Sequence, residues 1–156
     1  MLHPGVSSDW EQLQLCINGG VNRVGDAALV EALSLVRGAP LADAAPGQWH
    51  WAEQLRADIV STIRDIGVVL GTRALHSGNL ELAAWAVDRG LVAAPDDELL
   101  SGVQIRIAHA SGDRAEVDRL VLQMTRRART LGVDLTSQTV TLLQEVVEGR
   151  ARLRRA

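Results

Sequence analysis

Leu70-Gly71-Thr72-Arg73-Ala74-Leu75-His76-Ser77-Gly78-Asn79-Leu80-Glu81-Leu82-Ala83-Ala84-Trp85-Ala86 is the stretch that decides the fold. Apolar residues on both sides of Ser77-Gly78-Asn79 recur at helical spacing. The glycine ends the first pattern, and the asparagine offers a side-chain oxygen to cap the second. The local signal is helix, tight turn, helix. A second such turn, Ser111-Gly112-Asp113, stands 34 residues further on. A unit that returns at a fixed interval implies antiparallel helix pairs, each burying its apolar face against the next.

Upstream, the helical pattern extends from about Trp49 to His76, with Leu55, Ile59, Ile63, Ile66 and Leu70 along one face. Gly67 and Gly71 inside it each cost roughly 1 kcal/mol relative to alanine, and their spacing points to close helix approach. Before it, Ser8-Asp9-Trp10-Glu11 fits a capping box for a first helix with Leu13, Leu15 and Ile17, which ends at Gly19-Gly20. Asp26 is expected to cap a second helix, with Leu29, Val30, Leu33 and Val36, which stops at Gly38 and Pro40.

Downstream, a fourth helix carries Leu82, Trp85, Ala86 and Leu91. Pro95-Asp96-Asp97-Glu98 opens a fifth, with Leu99, Val103 and Ile107, whose acidic first turn suits the helix dipole. A sixth carries Val117, Leu120, Val121 and Met124 up to Gly132. Thr136 or Ser137 caps a seventh, with Val140, Leu143 and Val147. No alternating strand pattern of useful length occurs. The expectation is an all-α protein of about seven helices, paired antiparallel in a short right-handed superhelix. One domain is expected over residues 1–150. It comprises N-terminal helices and loop (8–48), a first repeat (49–95), a second repeat (96–132) and a capping helix (133–150), with a basic tail at 151–156.

Composition narrows the function classes. The 156 residues are 47% hydrophobic with a net charge of −3, which excludes a disordered chain. A single cysteine excludes a disulfide framework and a zinc cluster. The longest apolar run, near Ile66–Leu70, is far too short to span a bilayer, and the first residues lack the features of a signal peptide. A soluble, cytoplasmic protein without membrane contact is expected. All 16 basic residues are Arg, Phe and Tyr are absent, and four Trp are the only aromatics. Charge is uneven: residues 1–105 carry 6 Arg against 13 acids, and residues 106–156 carry 10 Arg against 6.

Nothing in the sequence assembles a catalytic site. His3, His50, His76 and His109 have no metal-ligand spacing, and no phosphate-binding glycine motif occurs. Cys16 has no adjacent base and reads as a small core residue. No enzyme activity, metal or cofactor is expected. Trp49 and Trp51, two apart on a helix, point about 200° from each other, so at least one leaves the core. Trp51 and Trp85 read as core anchors, and Trp10 as a fastener between the first and third helices. Arg126, Arg127 and Arg129, with Arg150, Arg152, Arg154 and Arg155, form a basic C-terminal set. Such a set neutralises phosphate, although no stacking aromatics accompany it. The bland alternative is that the first three complement the end of the sixth helix.

The spacing of the turns is that of tetratricopeptide units. The first unit resembles that motif at Leu70, Gly71, Gly78, Ala83, Leu91 and Pro95; the second is degenerate, with Ile105 in the place of Gly and Val117 in the place of Ala. Ala32-Leu33-Ser34-Leu35-Val36-Arg37-Gly38-Ala39-Pro40-Leu41 further resembles the signature of the bacterial transcriptional activator domain. Trp51-Ala52-Glu53, Gly90-Leu91 with Pro95, Glu98-Leu99-Leu100, Gly112-Asp113 and Leu131-Gly132-Val133-Asp134 follow in the order of that family. The resemblance covers about residues 8–147. Val36 departs from it, standing where many activators have Trp. In actinobacterial antibiotic-regulatory activators this domain follows a DNA-binding winged helix and serves regulation and dimerisation. In a second architecture it ends a large protein with a LysM module, and His3-Pro4-Gly5-Val6, Asp9-Trp10 and Trp51-Ala52-Glu53 look closer to that group.

The resemblance therefore implies a piece of a larger protein that binds a protein partner or a second copy of itself, as in a homodimer. It implies contact with nucleic acid only through an attached domain. Its repeat geometry assigns a partner groove to Asp65, Val68, Thr72, Leu75 and His76 of the first unit. In the second unit the groove falls on Leu99, Gly102, Arg106, His109 and Ala110. Such a groove takes an extended or helical peptide, with Arg106 as a donor fork for a carboxylate or phosphate. Two alternatives stay open: a nucleic-acid-binding or transcription-regulatory module using the basic C-terminal face, and a structural spacer in a LysM-containing envelope-associated protein.

Overall fold

The computed structural model describes the backbone of residues 8–43 and 50–155, and side chains over 8–43 and 52–149. These residues form seven α-helices and no strand: α1 (Asp9–Cys16), α2 (Asp26–Ser34), α3 (His50–His76), α4 (Leu80–Ala93), α5 (Glu98–Ala110), α6 (Arg114–Leu131) and α7 (Ser137–Arg155). The protein is all-α. Trp49 lies outside the described residues, as do the side chains of Trp51, Arg150, Arg152, Arg154 and Arg155.

The two turns that decide the fold match bond for bond. Gly78 takes φ +77° and Gly112 φ +76°, a left-handed conformation in which a side chain would be strained. The N–H of Asn79 donates to the Ala74 carbonyl at 2.9 Å, and the N–H of Asp113 to Ala108 at 3.0 Å. Ser77 Oγ and Ser111 Oγ donate to those same two carbonyls, each at 2.9 Å. Asn79 Oδ1 then accepts from the Leu82 N–H, and Asp113 Oδ1 from Glu116, each at 3.0 Å. Donors left free at a helix start and acceptors left free at the preceding end are thereby satisfied within three residues.

The chain divides into two compact units, Met1–Asp97 and Glu98–Ala156. Each has its own core. In the first, Leu29, Leu33, Ile66 and Leu70 are fully buried, with Leu13, Ala32, Ile63 and Ala86 around them. Each of the larger side chains contributes on the order of 2 kcal/mol by leaving water. The most extensive packing joins α3 to α4. Gly67, Gly71, Ala74, Ala83, Ala86 and Gly90 are all buried there. In the second unit, Ile105 and Ala108 of α5 pack with Val117, Leu120 and Met124 of α6 and Leu142 and Val146 of α7.

Three expectations change. Asp26 does not cap α2: Gly25 holds the N-cap without a side-chain bond, and Asp26 pairs with Arg73 at 3.0 Å. α2 stops at Ser34, whose hydroxyl donates back to the Val30 carbonyl at 2.7 Å, rather than running to Gly38. The helix expected to end at residue 150 continues through Arg155, so the basic tail is helical up to that point. The capping box of α1 forms as read, with Ser8 Oγ accepting from Glu11 N–H and the Glu11 carboxylate accepting from Ser8 N–H.

Arginine ties the loops of the first unit down. Arg73 donates to the Asn22 carbonyl at 2.8 Å and the Val24 carbonyl at 2.9 Å, fastening the α1–α2 connection to α3. Arg89 of α4 donates to the Val36 carbonyl at 2.8 Å, and Arg56 of α3 to Leu41 at 3.0 Å. Replacing Arg73 with Lys keeps the charge but removes the fork that reaches three acceptors at once. R73K is expected to lower stability by about 1 kcal/mol and R73A by somewhat more, measured by urea unfolding.

Candidate interaction surface

Asp65, Thr72 and His76 lie on α3, in the first unit; Arg106 and His109 lie on α5, in the second. Asp65 is half-buried and already neutralised, accepting from Arg64 Nη2 at 2.7 Å and Nε at 2.9 Å. His76 is exposed, and its Nδ1 lies 2.8 Å from the Thr72 carbonyl one turn back. That contact fixes the ring along the helix axis and orients it from its own element.

On α5, Arg106 and His109 are exposed, but the stripe they belong to is not open along its length. A Cβ at Gly102 would meet Leu142 Cδ2 at 3.4 Å, and one at Gly149 would meet His109 Cε1 at 3.7 Å. Leu142 and Gly149 both belong to α7, so α7 rests on the α5 stripe at two places. The missing side chains let the helices come close, and the His109 ring lies over the backbone of Gly149.

A third contact completes this seam. Thr136, just before α7, donates from its N–H to Glu98 Oε1 at 2.9 Å and from its hydroxyl at 2.7 Å. The Thr136 hydroxyl oxygen also accepts from the Thr139 N–H at 3.3 Å, which makes Thr136 the cap of α7. Thr139 is 4% exposed and is the buried polar residue of the core. Its hydroxyl oxygen lies 3.1 Å from that of Thr136. The sequence puts Glu98 in a favourable first turn and either Thr136 or Ser137 at a cap, but 38 residues separate Glu98 from Thr136, and nothing local joins the two.

The remaining candidates are dispersed. Arg126 and Arg129 are exposed on the last turns of α6, whereas Arg127 is half-buried and engaged. The Arg129 carbonyl accepts from the Gly132 N–H at the helix end. Trp85 is half-buried with the Arg89 guanidinium 5.9 Å from its ring centre, a cation–π arrangement. Trp10 packs half-buried on the first core and, with Ile59 and Ile63 of α3, lines a cleft of about 280 Å³. The half-buried Cys16 thiol is pushed up by desolvation and then by the Glu31 carboxylate, which leaves little thiolate. Among the described residues, no three His, Cys, Asp or Glu are grouped to hold a metal ion, and no helix is long and apolar enough to cross a membrane.

Not every apolar residue of the helical pattern is buried. On α7 the buried face is Thr139, Leu142 and Val146, while Val140 and Val147 are 41% and 56% exposed. With half-buried Leu143, and with Gln144 and Glu148, they line a shallow groove of about 480 Å³.

Burial acts to raise the Glu98 carboxyl, but bonds from the Thr139 and Thr136 hydroxyls and the Thr136 N–H outweigh it and hold the group below its usual value of 4.5. A depressed folded value means that this contribution is complete above the unfolded value and is lost as pH falls through the folded one. E98Q is therefore expected to cost about 1 kcal/mol at neutral pH and to cost less as the solution is acidified below pH 4.5, as read by thermal unfolding across a pH series. No family model, curated protein or solved structure matches this chain.

Proposed function

We propose that this chain is a non-enzymatic regulatory domain that holds a protein partner or a second copy of itself. It would do so as part of a larger cytoplasmic actinobacterial protein of the bacterial transcriptional activator type, with a winged helix or a LysM module elsewhere in its parent. The observation that carries this reading is the repeated turn, in which Ser77-Gly78-Asn79 and Ser111-Gly112-Asp113 make the same set of bonds. Units of paired helices bury one face against a neighbour and leave the other to a peptide or a helix. The family resemblance of residues 32–41, and the order of motifs after it, support the same reading.

The basic set on α6 supports the second reading, direct contact with nucleic acid, because Arg126 and Arg129 are exposed. Two measurements separate the readings. Selection of a displayed peptide library against the immobilised chain is expected to enrich sequences sharing one apolar pattern. Generic duplex DNA is expected to show no shift at low salt. A shift that disappears with added salt, and in a variant with Arg126, Arg127 and Arg129 all changed to Ala, overturns the protein-binding reading in favour of nucleic acid. A library that enriches nothing, together with a chain that sediments as a monomer, overturns it as well.

A further inference from the structure

Three contacts set α7 parallel to α5 in a steady register: Glu98 with Thr136, Gly102 with Leu142, and His109 with Gly149. On its other side α5 carries α6, joined by a tight turn and therefore antiparallel, which seats Val117, Leu120, Val121 and Met124 at i, i+3, i+4 and i+7. α7 presents a comparable stripe. Val140, Leu143 and Val147 lie one position on from its buried face, about 100° around the helix; Val140 and Val147 are exposed, and Leu143 is half-buried where its inner edge packs against the second core.

We infer that this stripe docks one amphipathic helix of a partner protein, antiparallel to α7 as α6 is to α5 and acidic at its N-terminal end. This inference rests on the protein-interaction reading above. Charge selects the occupant. The second unit has ten Arg against seven acidic residues, and α7 continues as a helix through the Arg-rich positions 150–155. An antiparallel helix brings its first turns to that end, where its own dipole also favours carboxylates. Glu148, on the groove, is engaged within the protein. A second copy of the same unit would bring like net charge onto like, which disfavours it as the occupant.

The probe is a labelled synthetic helix with Leu at i, i+3, i+4 and i+7 and Glu in its first two turns. Its control has Lys in place of each Glu, and both are titrated with the whole chain by fluorescence anisotropy. Saturable binding of the acidic peptide is expected, weaker by about tenfold or more for the Lys control and for V147D and V140D chains that keep the wild-type melting curve. No binding of the acidic peptide, equal binding of both peptides, or affinity unchanged in V147D and V140D overturns the proposal. So does a wild-type dimer in sedimentation that V147D separates, because a second copy then fills the stripe. If library-selected peptides bind wild type and V147D alike, this site fails while the protein-interaction reading survives; if no peptide of any kind binds and the chain sediments as a monomer, that reading fails too.

Discussion

The C-terminal end of a helix leaves its last carbonyls without intrahelical donors, and a chain that reverses within three residues must satisfy them at once. Gly78 and Gly112 meet this constraint by turning left-handed, so that the next N–H reaches back to Ala74 and Ala108. Reversal on the spot makes α3 and α4 antiparallel neighbours, and likewise α5 and α6. Both cores follow from that. With the helix axes close, small residues serve better than large ones along the seam, and Gly67, Gly71, Ala83, Ala86 and Gly90 are buried in the first unit. The scarcity of aromatic residues agrees with this packing, because closely apposed helices leave little volume for rings.

The absence of Lys has a structural counterpart. Arg73, Arg89 and Arg56 each reach a backbone carbonyl in a connecting segment, and Arg73 also holds the Asp26 carboxylate. A guanidinium presents several donors in a fixed plane and keeps its charge when half-buried, so one side chain can satisfy a whole loop. The second unit solves the matching problem with the opposite charge. There the Glu98 carboxylate gathers donors from Thr136 and Thr139 and so locks the start of α7 beside the start of α5.

That lock also explains which face of α7 turns inward. A hydropathy pattern favours burying Val140, Leu143 and Val147, and it counts Thr139 against the inner face. Once the threonine hydroxyls have partners at Glu98 and at one another, the cost of burying Thr139 falls away, and the helix can rotate by one position. Leu142 and Val146 then enter the core, and Leu142 fills the space left by Gly102. The valines remain outside as an apolar stripe beside a basic helix end. The proposed docking surface is therefore a by-product of a polar contact, and the helical period alone points to a different face.

Much of the fold was legible because its determinants are local. Capping boxes, glycine turns and the three-to-four-residue apolar period act within one or two turns, so seven helices, the matched pair of turns and the Ser8 cap could be read from neighbouring residues. Asp26 shows the limit of such reading: a residue suited to cap its own helix was drawn instead to Arg73, 47 residues away. The division into two units, the approach of α7 to Gly102 and His109, and the exposure of Val140 and Val147 were decided only in three dimensions. Each depends on which distant groups satisfy one another's charge and hydrogen bonds, and a one-position rotation of a helix changes no local preference enough to appear in its sequence.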